Sequence, residues 1–212
     1  MKHIIWDFNG TLLADAQFSV DVDNSVFDQL GIPRITLDDY RENMTMPVCD
    51  FYRALGIDFS VHPYALISKL WLAEFNAGAV AVGLEKGALD TVRRLDQKGF
   101  TQSVLSASYE PSLLHQCSAL GLTPYMRAIS GHQDENAAAK TEIARRHLQA
   151  LGLSGADTIF VGDMQADAEL ARAMGADCIL VSWGHNDLKR LLETGLPVAH
   201  TFGELEALLC SK

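Results

Sequence analysis

Four short apolar runs, at residues 3–6, 102–105, 158–161 and 178–181, are separated by stretches with helical spacing. This alternation restricts the fold more than any other feature of the chain. A short apolar, β-branched or aromatic run, bounded by polar or Gly positions, is the pattern of a strand buried on both faces. Between the runs, Leu89, Val92 and Leu95 recur every three residues before Gly99. Ile143, Leu148 and Leu151 precede Gly152 in the same way, and Ala168, Ala171 and Met174 precede Gly175. Gly just past an apolar helical stripe is a common helix stop. Strand–helix–strand alternation predicts an α/β fold, a parallel sheet with helices on both faces. A fifth strand is expected at 127–130 and a short sixth at 198–202.

Residues 18–82 interrupt the alternation, with helix signals and no strand pattern. Asp23 or Asn24 is placed to cap a helix ending near Gly31, and Thr36 with Asp39 forms a variant capping box. Pro47 suits the first turn of a helix ending at Gly56. Pro63 precedes a helix with Ile67, Leu70, Trp71 and Phe75 on one face, ending near Gly78. The expectation is a core made of residues 1–17 and 84–212, interrupted by a compact all-helical insertion of residues 18–83.

Charge narrows the function. Seventeen Lys+Arg face 27 Asp+Glu, a formal net charge of −10, and no basic cluster stands out. That argues against a nucleic-acid partner and against an anionic membrane surface. Clustered acidic side chains do suit a divalent cation. The apolar run after Lys2 stops at Asp7, too short for a signal peptide. Apolar stretches are expected to fall short of the roughly 20 residues of a membrane span. Cys49, Cys117, Cys178 and Cys210 form no CxxC pair. Reduced thiols in a cytoplasmic monomer or homodimer are expected.

In an open parallel sheet, ligands gather beyond the carboxyl ends of the strands. Asp7-Phe8-Asn9-Gly10-Thr11 follows the first run, and Ser106-Ala107-Ser108 follows the second. Gly162-Asp163-Met164-Gln165-Ala166-Asp167 follows the run at 158–161, and Lys140 opens the helix before it. A carboxylate nucleophile, hydroxyls, a cation and two further carboxylates are the groups that Mg²⁺-assisted phosphoryl transfer to a carboxylate requires.

With these four segments in this order, a helical insertion between the first and second, and 23 residues from Lys140 to Asp163, the sequence resembles the haloacid dehalogenase superfamily. It looks closest to the phosphoglycolate-phosphatase-like branch. The resemblance implies a Rossmann-like core, a small helical cap and a hydrolase acting on a small phosphorylated metabolite. It implies Asp7 as the nucleophile that becomes an aspartyl-phosphate. Mg²⁺ would be held by Asp7, Asp163 and the backbone carbonyl of Asn9, with Asp167 in support. Ser106, with Ala107 beside it, would bind a phosphoryl oxygen, Lys140 would offset negative charge, and Gly10 and Thr11 would shape the loop.

One position departs from the pattern. Where the resemblance implies a second Asp as general acid and base, the chain has Asn9. An amide does not exchange a proton near neutral pH, and losing a general acid–base costs about 10²–10⁴-fold in rate. Three readings follow: a slow phosphatase restricted to good leaving groups, a catalytically weak phosphate- or ligand-binding regulatory protein, and a phosphonatase-like C–P bond hydrolase using Lys69 as a Schiff base. A fourth idea concerns Asn9-Gly10, a dipeptide prone to deamidation, which would create the missing carboxylate. Outside the motifs, His185, Arg41, Tyr52 and Arg53 are polar candidates for supporting parts.

Overall fold

The computed structural model describes residues 2–133 and 140–212. Its strands are β1 (His3–Trp6), β2 (Gln102–Tyr109), β3 (Met126–His132), β4 (Thr158–Gly162), β5 (Asp177–Val181) and β6 (Val198–Ala199). Its helices are α1 (Ala16–Leu30), α2 (Leu37–Asn43), α3 (Val48–Ala54), α4 (Tyr64–Val82), α5 (Ala88–Gln97), α6 (Glu110–Ala119), α7 (Lys140–Leu151), α8 (Gln165–Met174), α9 (Leu188–Glu193) and α10 (Phe202–Cys210). The six strands form one sheet in the order β3-β2-β1-β4-β5-β6, and every pairing is parallel. The chain builds outward from β1 on one side, then returns to build outward on the other. The switch point therefore lies between β1 and β4.

Side chains alternate across a strand, so each apolar run feeds two layers. Ile4, Trp6, Val104, Ile159, Val161, Ile179 and Val181 pack with Val92 and Leu95 of α5 and Leu205 and Leu209 of α10. Ile5, Leu105, Phe160 and Leu180 pack on the opposite face with Ile143 and Leu148 of α7, Ala171 of α8 and Leu191 of α9. Full burial of such side chains contributes about 1.5–3 kcal/mol each, which explains why the runs carry no polar alternation.

Four local expectations change. Strand β2 continues four residues beyond the apolar run, because pairing with β3 resumes after a register irregularity, with Tyr109 opposite His132. Ser106 is therefore within a strand and not just past its end. Helix α1 starts at Ala16, and neither Asp23 nor Asn24 caps it. Asp23 is buried and accepts from Tyr52 Oη at 2.9 Å, while Asn24 bonds both backbone groups of Ile35. The expected boundary after residue 17 thus falls inside α1. Helix α4 runs through Gly78, because the Phe18 ring packs where a Cβ would sit. At 19 residues, α4 is long and apolar enough to cross a membrane, contrary to the sequence expectation. It nonetheless carries Lys69 and Glu74, and its Ile67, Phe75 and Ala79 are buried within the protein.

Helix α2 begins as expected, with the Thr36–Asp39 capping box fully formed, and α3 starts just after Pro47. Val20, Val26, Phe27, Tyr40, Phe51, Tyr52, Ile57 and Ile67 give α1–α4 a hydrophobic cluster of their own.

Candidate active site

The switch point brings the first and fourth motifs side by side. Trp6 is in register with Val161, and the Asp7 amide donates to the Val161 carbonyl at 2.8 Å. Asp7 leaves β1 next to Asp163, which leaves β4. Asp167 lies in the first turn of α8, where its Oδ2 accepts from the amides of Asp163 and Met164 at 3.1 Å each. Lys140, at the start of α7, donates to Asp7 Oδ1 at 2.5 Å and to Asp167 Oδ1 at 2.7 Å. One carboxylate oxygen from each of Asp7, Asp163 and Asp167 lies within 4.8 Å of the others, and all three residues are buried.

Burial and mutual repulsion raise the Asp7 and Asp163 carboxyls above the ordinary carboxylate range, although Lys140 opposes this at Asp7 and His185 at Asp163. Burial alone would lower Lys140, but Asp167 and Asp7 outweigh it and hold the ammonium charged. The donor set fits Mg²⁺: three hard carboxylate oxygens converge in a buried site where one lysine bridges two of them.

Glycines make room for these carboxylates. A Cβ at Gly10 or Gly184 would collide with the Asp163 carboxylate, and a Cβ at Gly162 would collide with that of Asp167. Gly10 also has φ +67°, a conformation few other residues adopt. Thr11 donates to Asp163 Oδ1 at 2.8 Å, and the backbone amide of His185 donates to Oδ2 at 2.6 Å.

Asn9 is held at both ends. Its Nδ2 donates to Asp15 Oδ2 at 2.7 Å, and its Oδ1 accepts from Ser108 Oγ at 2.8 Å. Ser106 donates to Ser108 Oγ at 3.0 Å. Ser108 makes the shorter contact to Asn9, while Ser106 Oγ lies 3.4 Å from the same Asn9 oxygen. Ala107 is exposed between them and brings no polar side chain.

Asp15, Tyr40 and Gly184 carried no local signal. Asp15 is 1% exposed and faces His185 Nε2 across 3.6 Å. Burial would lower the His185 imidazole, but Asp15 outweighs it and pushes it up to about 9. Its Nδ1 lies within hydrogen-bond distance of Tyr40 Oη, at 3.0 Å. Tyr40 belongs to α2, so this contact joins the helical block to the core. Arg41 adds bonds to the carbonyls of Trp183 and Gly184. In return, Arg190 donates to the carbonyls of Arg41, Glu42 and Met44, the last at 2.6 Å. Arg53 pairs with Asp50 at the surface, Tyr52 is engaged with Asp23, and Lys69 is exposed.

The sequence profile of the haloacid dehalogenase-like hydrolases matches residues 4–181, which takes in all four motifs. The chain belongs to this family. It is 33% identical over 105 residues to a phosphoglycolate phosphatase of Mesorhizobium japonicum, a match covering 48% of the chain and 45% of that enzyme. A phosphoglycolate phosphatase of Synechococcus elongatus is 24% identical over 197 residues, covering 91% of the chain and 89% of that enzyme. The fold is shared with a haloacid dehalogenase-like hydrolase from Streptococcus pneumoniae, at a TM-score of 0.85 and 19% identity over 99% of this chain and 98% of that one.

Proposed function

We propose that the protein is a cytoplasmic, Mg²⁺-dependent phosphatase of a small phosphorylated metabolite, working through an aspartyl-phosphate on Asp7, with residues 18–83 as a cap over the site. The observation that carries this reading is the buried convergence of Asp7, Asp163 and Asp167, with Lys140 bridging Asp7 and Asp167. Mg²⁺ bound by Asp7, Asp163, the Asn9 carbonyl and, in support, Asp167 would supply charge neutralisation for the phosphoryl oxygens.

The chain's own groups account for the rest. Lys140 fixes the Asp7 carboxylate and favours its ionised form for attack on phosphorus, with the ester oxygen departing opposite. Ser108, Ser106 and the Asn9 amide offer hydrogen bonds to the transferring group. Asn9 has no proton to give, so esters whose leaving groups depart as stable anions are favoured. The two named relatives make 2-phosphoglycolate a natural trial substrate beside an aryl phosphate. The same deficit supports a second reading, in which the site binds a phosphate ligand for regulation and turns over weakly.

The test is hydrolysis of an activated aryl phosphate with and without Mg²⁺, for wild type and Asp7→Asn. Turnover that needs Mg²⁺ and vanishes in Asp7→Asn is expected. Binding of inorganic phosphate without turnover would favour the regulatory reading, and neither binding nor turnover would remove both.

A further inference from the structure

We propose that Asp15 is a positioning residue of this site, and that Asn9 and Asp15 form a matched pair in which each determines what the other position accepts. Its kinetic part rests on the phosphatase reading; its structural part does not. Asp15 occupies the N-cap position of α1, yet its side chain makes no cap bond to that helix. It turns back instead: Oδ1 accepts from the Gly10 amide at 2.6 Å and Oδ2 from Asn9 Nδ2 at 2.7 Å. Both carboxylate oxygens are buried and both take donors. A buried acceptor facing another acceptor is strongly unfavourable, so position 9 needs a donor as long as position 15 is Asp. An amide meets that demand with the shape of a carboxylate.

The pairing also sets the orientation of the Asn9 amide. With Nδ2 committed to Asp15, Oδ1 must face Ser108, where it accepts at 2.8 Å. The substitution at the acid–base position is therefore built into the loop. Asn9→Asp alone would set a carboxylate oxygen against the buried Asp15 carboxylate, acceptor facing acceptor at contact distance. The side chain would be driven from its place against Ser108.

Exchanging both residues avoids this. In Asn9→Asp/Asp15→Asn, the new amide oxygen accepts from Gly10 and the new amide nitrogen donates to the carboxylate at position 9. The other oxygen of that carboxylate still accepts from Ser108. Total charge is conserved, the polarity of the bond between positions 9 and 15 is reversed, and the His185 ring faces an amide oxygen in place of a carboxylate oxygen. Asp15→Asn alone leaves one of the two donors, Gly10 or Asn9, without an acceptor.

The experiment compares wild type, Asn9→Asp, Asp15→Asn and the exchange variant by melting temperature, and by kcat and KM for an aryl phosphate with Mg²⁺. Each single variant is expected to melt roughly 4–8 °C lower and the exchange within about 2 °C of wild type. The exchange should raise kcat about 10²-fold with KM little changed, and Asn9→Asp should reach less than about a tenth of that kcat. The pair is refuted if the two melting losses add, or if Asn9→Asp melts with wild type and matches the exchange in kcat. If none of the four chains hydrolyses the ester, the phosphatase reading falls. Non-additive melting temperatures would then still support the pair, and additive ones would overturn it.

Discussion

Acid should unfold this protein through two histidines far from the site. A chain of four short bonds runs from Thr101 Oγ1 to His3 Nδ1, His3 Nε2 to Ser103 Oγ, Ser103 Oγ to His147 Nε2 and His147 Nδ1 to Ser130 Oγ, each 2.7 Å. Ser103 sits between two imidazoles, so it can donate to one and accept from the other only while at least one ring is neutral. Burial lowers His3 to about 4, helped by repulsion from His147 and Arg127, and burial alone lowers His147 to about 4. The folded state thus rejects protons that the unfolded chain accepts below about pH 6.5. This stability is fully present above that value and is lost as pH falls toward about 4. Linkage gives about 2 kcal/mol at pH 5 for His147. His3 contributes less, since solvent screens it more and part of its shift comes from His147. Together they amount to about 3 kcal/mol, or a melting temperature lower by roughly 6–12 °C.

Asp23 works in the opposite sense. Burial raises it to about 7, so its contribution is lost as pH rises through that range. The informative quantity is therefore a difference between two proteins. Urea unfolding near pH 7.5 and near pH 5 should show the acid loss in wild type and its absence in His3→Gln/His147→Gln. Equal losses in the two proteins would refute the assignment.

Three further outcomes are expected. Gly184→Ala drives a methyl group into the Asp163 carboxylate. It should reduce Mg²⁺-dependent hydrolysis by about 10²-fold or more, with the circular dichroism of the fold retained. Arg190→Ala removes the donor shared by the carbonyls of Arg41, Glu42 and Met44. It should cost about 1–3 kcal/mol, with amide exchange in α2 rising before that in α5. Asp15→Ala frees both the Asn9 amide and the Gly10 nitrogen, the two groups that must meet for deamidation. Intact-mass measurements on aged samples should show faster acid formation than in wild type, and equal rates would show that the grip does not protect Asn9.

The sheet was legible because its strands are buried on both faces, and such strands announce themselves as short apolar runs. Where a strand turns polar, as β2 does at Ser106 and Ser108, the pattern stops while the pairing continues. Gly78 reads as a helix stop but serves as a packing surface for Phe18, a distinction made only by a residue 60 positions away. The four motifs were legible because each stands at or near a strand end or helix start, where local sequence determines what projects. Asp15, Tyr40 and His185 were harder to read for the opposite reason. Their partners come from other elements, and Tyr40 and His185 meet across 145 residues of sequence.

His185 touches Asp163 with its backbone, Asp15 with one ring nitrogen and Tyr40 with the other. The seat of α2 and the environment of the carboxylates therefore share a single joint. A joint of this kind makes two equilibria reciprocal: whatever occupancy of the carboxylate site does to the docking of α2, docking of α2 does to the affinity of that site, by the same factor. Affinity at the acidic centre and docking of α2 then form one property of the molecule, and selection on either acts on both.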